Sequence, residues 1–196
     1  MACGRGPDGS TAQSSHRGTT PSSDGIRQTD SAGKRLPFET RLKSRWNARN
    51  DGTSYEPCTA LEASELMNLG VIPDSVRDVA GTDGQTLRGC RWQYRIVPQS
   101  GSWSVSQVVG NSPGLAVDKQ SKRSGVDIWM RDLDIQGRTV GVHRLADGAD
   151  CDTYVQSGEA AVNTIVIHHG VPHPPVEEVC ERAIAFTKAT IDKMPR

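Results

Sequence analysis

Alternation with a period of two, recurring through the second half of the chain, constrains this fold more than any other feature. In "GCRWQYRIV", Cys90, Trp92, Tyr94 and Ile96 would face one way, and Arg91, Gln93 and Arg95 the other. That is the pattern of a half-buried strand. "SWSVSQVV", after the turn residues Ser100-Gly101, reads as its hairpin partner. Further strands are expected at about 128–135, 138–145, 151–157 and 160–168, with turns at Gln136-Gly137 and Ser157-Gly158. "DTYVQS" and "AAVNTIVIHH" alternate well enough for an antiparallel sheet with one covered face. A short helix or loop around Leu115 to Arg123 interrupts the series.

Helical signals bracket these strands. Asn50-Asp51-Gly52 reads as a turn. Thr59 can then cap a helix, with Glu62 completing a capping box. Leu61, Leu66 and Leu69 supply its core stripe, Gly70 fits the left-handed position that ends it, and Pro73 prevents continuation. After Val176, positions Val179, Cys180, Ala183, Ile184, Phe186, Thr187, Ile191 and Met194 fall on one half of a helix; Glu177, Glu178, Glu181, Arg182, Lys188, Asp192 and Lys193 occupy the other. Acids lead and lysines trail, which suits the helix dipole. The expected fold is α+β: an antiparallel sheet of about six strands flanked by N- and C-terminal helices. By analogy, a sandwich like that of the photosystem accessory protein PsbP is the preferred layout.

Five cysteines, Cys3, Cys58, Cys90, Cys151 and Cys180, form no Cys-x-x-Cys spacing, which argues against a zinc ribbon or a thioredoxin-like motif. In an exported protein four would pair and one would have another task. Four cysteines allow three connectivities. Cys58 precedes the first helix and Cys90 begins the first strong strand. Cys151 begins a later strand, and Cys180 faces inward from the closing helix. Bonding neighbouring elements predicts Cys58–Cys90 and Cys151–Cys180, each closing a loop of about 30 residues and contributing roughly 3–4 kcal/mol by chain entropy.

Cys3 lies where it can least be buried. Ala2-Cys3-Gly4 matches the end of a bacterial lipobox, and the following Gly, Ser, Thr and Pro residues have the composition of a spacer. We expect Cys3 to be lipidated with palmitate-type chains, after removal of a signal peptide lying ahead of Met1 in the native precursor. The competing reading is an incidental cysteine beside a start methionine. Residues 1–35 are expected to be a lipid-anchored disordered linker, and 36–196 an α+β lipoprotein domain. As a flexible coil, residues 4–35 would set the domain on the order of 30 Å from the lipid. Hydrophobic residues make up 35% and aromatics 5%, which fits a chain that is disordered in part. Lysine plus arginine equal aspartate plus glutamate, 23 each, which argues against nucleic acid as the main partner. No apolar run approaches the ~20 residues that span a bilayer.

In "KRLPFETRLKSRWNAR", Phe38, Leu42 and Trp46 recur every four residues among Lys34, Arg35, Arg41, Lys43, Arg45 and Arg49. Docking on the domain, contact with anionic lipid, and an irregular lead-in pinned by Phe38 and Trp46 all fit this stretch.

The order of "EPCTALEASELMNLG", "LRGCRWQ", a cysteine opening a late strand at Cys151, and "VCERAIAFTKATIDKMP" resembles an uncharacterised family of actinobacterial cell-envelope lipoproteins, known as a domain of unknown function. The resemblance covers roughly residues 50–196. It implies an envelope lipoprotein with a two-disulfide α+β domain, and it transfers no catalytic residues.

Chemistry is sparse. "VIHHGVPHPP" holds His168, His169 and His173, but adjacent strand residues point oppositely and the prolines forbid a chelating helix, so a strand-end loop is expected in place of a metal site. Asp132, Asp134, Asp147, Asp150 and Asp152 do not match a calcium loop and read as solvated turns. No nucleophile elbow, P-loop or dinucleotide fingerprint occurs, and "GSWSVS" lacks the context of a catalytic serine. His143 reads as a packing or surface residue. Trp46, Trp92, Trp103 and Trp129 could line a ligand groove, with Trp92 in the core. The expectation is a non-catalytic envelope lipoprotein on the extracytoplasmic face of the cell membrane, without cofactor. Its partners would be the membrane, through the anchor, and an envelope protein, lipid or cell-wall ligand. The alternative is an extracytoplasmic hydrolase: a pocket in which His143, or the His168–His169 pair, lies within hydrogen-bond reach of a carboxylate would favour it, whereas an open apolar groove without titratable groups would favour binding.

Overall fold

Period-two alternation builds a single antiparallel sheet. The computed structural model describes Met1, residues 25–95 and residues 101–196; Cys3, Ile96 and Ser100 lie outside the described residues. Eight strands are present: β1 (Val71–Asp78), β2 (Arg88–Tyr94), β3 (Ser102–Asn111), β4 (Asp127–Trp129), β5 (Leu133–Ile135), β6 (Arg138–Leu145), β7 (Asp150–Ser157) and β8 (Ala160–His169). Their order is β1-β2-β3-β8-β7-β6-β4, with β5 also paired to β6. Eight strands correct the expected six. The stretch 128–135 divides into two three-residue strands, and β1 carries no alternation to read. Pro73 and a register irregularity between Ile72 and Arg77 interrupt it, as an edge strand tolerates. There the Ser75 hydroxyl accepts the Gln93 N–H (2.8 Å) and donates to the Ile72 carbonyl (2.6 Å).

Helices α1 (Pro57–Ala60), α2 (Ala63–Asn68) and α4 (Val176–Thr190) cover one sheet face, and α3 (Leu115–Ser121) lies across the other beside β6 and β7. The expected single N-terminal helix is broken at Leu61, whose backbone is extended (φ −110, ψ 142). Thr59 is therefore not the cap. Its hydroxyl donates to Asp30 (2.6 Å), while Glu65 accepts the Glu62 N–H (2.7 Å) to start α2. Gly70 follows α2 with φ 75.

On the helix-covered face, Cys90, Trp92, Val105, Val166, Val179 and Phe186 form one apolar cluster; Tyr55, Val109, Val140, Val155, Val162 and Ile191 form a second. A polar ladder lies among them. The Tyr55 hydroxyl donates to Gln107 Oε1 (2.5 Å), whose Nε2 donates to Thr164 (2.9 Å) and Thr190 (3.0 Å), and Thr187 reaches Thr164 (3.1 Å). Two disulfides tie this face together: Cys58–Cys90 joins α1 to β2 and Cys151–Cys180 joins β7 to α4, with Cα separations of 5.2 and 5.0 Å.

The basic stretch is an irregular lead-in. Phe38 and Trp46 pack partly buried against the core. Arg45, which a surface reading would leave in water, is buried instead: its guanidinium bonds Glu56 (2.9 and 3.1 Å) and Asp78 (2.9 Å), and Arg88 joins Glu56 at 3.1 Å. Burial opposes the Arg45 charge, but the Glu56 and Asp78 carboxylates hold its pKa above the ordinary arginine value. Packing on the domain also begins before residue 36. Gln28 exchanges bonds with the Thr40 backbone, and Arg27 lies 4.2 Å above the Trp46 ring.

Candidate functional site

The strand register brings aromatic and basic groups to one end of the sheet. Trp103 and His168 are directly paired across β3 and β8 and point to the helix-covered face, their rings 4.8 Å apart edge to face. His169, next along β8, points to the other face, as strand alternation requires. Beyond it, Gly170 and the segment 171–175 turn the chain into α4, and His173 lies 6.0 Å from the His168 ring. One turn into α4, Arg182 bonds Glu178 (3.0 Å, four residues back) and spreads its guanidinium over Trp103 (4.5 Å) and Tyr94 (5.0 Å). Burial pushes the Tyr94 hydroxyl pKa up, with Arg182 opposing.

Two hollows flank this stack. One, of about 250 Å³, is lined by Gly101, Trp103, His168, Pro172, His173 and Glu178. The second, of about 320 Å³, is lined by Leu69, Tyr94, Glu178, Glu181, Arg182 and Ala185. Glu178 lines both, so the hollows adjoin across the Arg182–Glu178 pair and are together called the cleft. Gly101 keeps the first hollow open. With φ 75, a Cβ there would stand 2.6 Å from His168 Nε2. Among the described residues lining the cleft there is no serine, threonine or cysteine; the lining offers aromatic faces, imidazoles and carboxylates.

The other residues singled out in the sequence separate. Trp92 is in the core at 2% exposure, Trp103 is 5% exposed at the cleft floor, and Trp129 is half-buried on the opposite face. There Trp129 stacks 5.0 Å from His143. His143 is buried between two carboxylates, with Nε2 2.9 Å from Asp127 and Nδ1 3.4 Å from Asp152. Asp152 and then Asp127 raise its pKa against the effect of burial. Asp152, read as a solvated turn, is 4% exposed and also faces Lys122 (3.4 Å) and the Tyr154 hydroxyl (3.3 Å). Asp132 pairs with Lys119, and Asp134 and Asp147 accept backbone N–H groups at turns. Asp150 accepts the Leu145 N–H. Among the described residues, no group of three or more His, Cys, Asp or Glu side chains is placed to hold a metal ion.

Sequence reasoning missed Gly101, Tyr94, Glu178 and Arg182 as a unit. The four-residue Glu178–Arg182 spacing was visible, but its approach to Trp103 depends on how α4 crosses the sheet. It also missed Ser104, whose Oγ lies 3.0 Å from His169 Nε2.

Comparison with curated proteins and with solved structures finds no match. A family described as "Protein of unknown function (DUF3558)" matches residues 1–193. With nearly the whole chain matched, the protein belongs to the DUF3558 family.

Proposed function

We propose that this protein is a non-catalytic envelope lipoprotein of the actinobacterial type. It would hold a protein, lipid or cell-wall component in the cleft at the end of the sheet. The observation that carries this reading is the cleft itself: aromatic rings under a clamped guanidinium, with hollows on both sides of Glu178 and no serine, threonine or cysteine in the described lining. Two disulfides suit an oxidising extracytoplasmic site. Acylation of Cys3 by palmitate-type chains, after signal-peptide removal, would supply the membrane anchor. A sheet with helices on both faces supports the PsbP-like sandwich layout.

Protein extracted in mild detergent from its native envelope should carry a bound molecule in native mass spectrometry. His173→Trp, which puts a larger ring at the exposed cleft rim, should lose that molecule while melting normally. Identical spectra for the two proteins would defeat the reading.

The alternative, an extracytoplasmic hydrolase, draws support from the 3.0 Å contact between Ser104 Oγ and His169 Nε2. The 2.9 Å contact of His143 Nε2 with Asp127 also favours it. Against it, Ser104 and His143 are each 1% exposed, His143 lines neither hollow, and the third member of the Ser104–His169 group is Arg91 in place of a carboxylate. Labelling of Ser104 by a fluorophosphonate probe would favour the hydrolase.

A further inference from the structure

On the sheet face opposite α1, α2 and α4, two arginines stand directly across from each other: Arg77 of β1 pairs with Arg91 of β2. Directly opposed residues of an antiparallel pair share a face, and like charges there repel. Every ion pair among the described residues involves other groups, so neither guanidinium has a carboxylate partner within that set. Arg91 turns toward β3 and β8 instead. Its Nη2 donates to Ser104 Oγ (3.1 Å) and lies 3.0 Å from His169 Nε2, which is itself 3.0 Å from Ser104 Oγ. A guanidinium has only donors, so His169 Nε2 accepts and the imidazole is in its neutral form with the proton on Nδ1. Burial first, then the Arg91 charge, holds the His169 pKa below its ordinary value.

The arrangement is uneven in a useful way. Arg91 is half-buried and fixed by two contacts, whereas Arg77 and His169 are exposed. Fixing one guanidinium in advance lowers the ordering cost of taking a ligand. Arg91 presents one fixed guanidinium and exposed Arg77 a second from the neighbouring strand on the same face; planar donor forks match an oxyanion with several acceptor oxygens, and such charge-assisted bonds are the strong ones.

We propose that Arg77 and Arg91, with His169 beside them, form a binding site for a phosphate group on the open sheet face. The site is separate from the cleft and does not depend on it. The phosphate could belong to a lipid headgroup or to a soluble ester, and both offer the same oxygens.

Two measurements test the site and separate those sources. Inorganic phosphate would be titrated into isotope-labelled protein and followed at the Arg91 Nε–H and His169 ring signals, against chloride at matched ionic strength. A saturable shift is expected, weakened about tenfold or more by Arg91→Gln and by Arg77→Gln. Arg77 is exposed, so its variant keeps the test valid if Arg91→Gln disturbs folding. The second arm is co-sedimentation with vesicles of equal parts phosphatidylglycerol and phosphatidylcholine, against phosphatidylcholine alone. Sedimentation that needs both arginines assigns the phosphate to a lipid. Phosphate binding without vesicle binding assigns it to a soluble ester. If neither arm responds to either substitution, the proposal is wrong.

Discussion

Glu56→Gln is the sharpest test of how the N-terminal half is held. The Glu56 carboxylate, with its side chain 2% exposed, accepts two bonds from Arg45 and one from Arg88, at 2.9, 3.1 and 3.1 Å, and takes the Cys58 N–H at 3.3 Å. Arg45 and Arg88 have side chains 0% and 1% exposed, so water cannot screen the loss. The amide keeps the shape and removes the charge, leaving, among the described residues, Arg45 with Asp78 alone and buried Arg88 without its one carboxylate partner. Breaking a buried pair in this way costs about 3–5 kcal/mol, because an uncompensated charge stays behind. For a domain of this size each kcal/mol lowers Tm by roughly 2–4 °C, so a loss on the order of 10 °C is expected. Thermal and urea unfolding with both disulfides oxidised would measure it. As a contrast, Arg35→Met breaks the exposed pair with Glu39 and should cost less than about 1 kcal/mol. A Glu56→Gln protein within about 1 kcal/mol of wild type would refute the argument.

Three further outcomes are expected. His143 has a raised pKa, so its stabilising share is complete below its unfolded value of 6.5 and is lost as pH rises through the higher folded value. Its partner Asp127 is lowered, first by Ser124 and then by His143, so that share is present above 3.8 and lost as pH falls through the lower folded value. Unfolding between pH 4 and 9 should therefore show a decline on the alkaline side that His143→Asn flattens; an unchanged slope would contradict this. Trp46→Ala should lower the melting temperature through lost packing, at about 1–3 kcal/mol, without changing vesicle binding by unlipidated protein; weaker vesicle binding at an unchanged Tm would place the segment on lipid instead. Expressed behind a lipoprotein signal peptide, Cys3→Ala should move the protein out of the membrane fraction, and unchanged fractionation together with an unmodified Cys3 in wild type would end the anchor reading.

The closing helix and the inner strands were legible because their partners impose one period each. α4 buries Val179, Cys180, Ala183, Phe186 and Thr187 on a single stripe, and β7 and β8 bury one continuous face. β1 was not legible, since an edge strand paired on one side can carry Pro73 and an irregular register without losing its place. The Thr59 cap failed because tertiary contacts with Asp30 claimed the hydroxyl. Asp152 was misplaced in water, and the burial of Arg45 went unread, for a related reason. A charge looks like surface until the chain brings its counter-charge, and Glu56, Asp78, Lys122 and His143 come from separate elements. The cleft was hidden likewise. Trp103, His168 and Arg182 are far apart in sequence, and only sheet register together with the crossing of α4 unites them.

The central claim is that the cleft at the sheet end takes up an envelope component. Photocrosslinking in native envelopes tests it most directly, with the reactive group at Val171 on the cleft rim (87% exposed) and, as control, at Val126, which lines neither hollow (55% exposed). Mass spectrometry should find one recurrent protein or lipid adduct from position 171 that His173→Trp abolishes, and none from position 126. Equal adducts from the two positions, or no adduct from 171 while Ser104 reacts with a fluorophosphonate, would contradict the account.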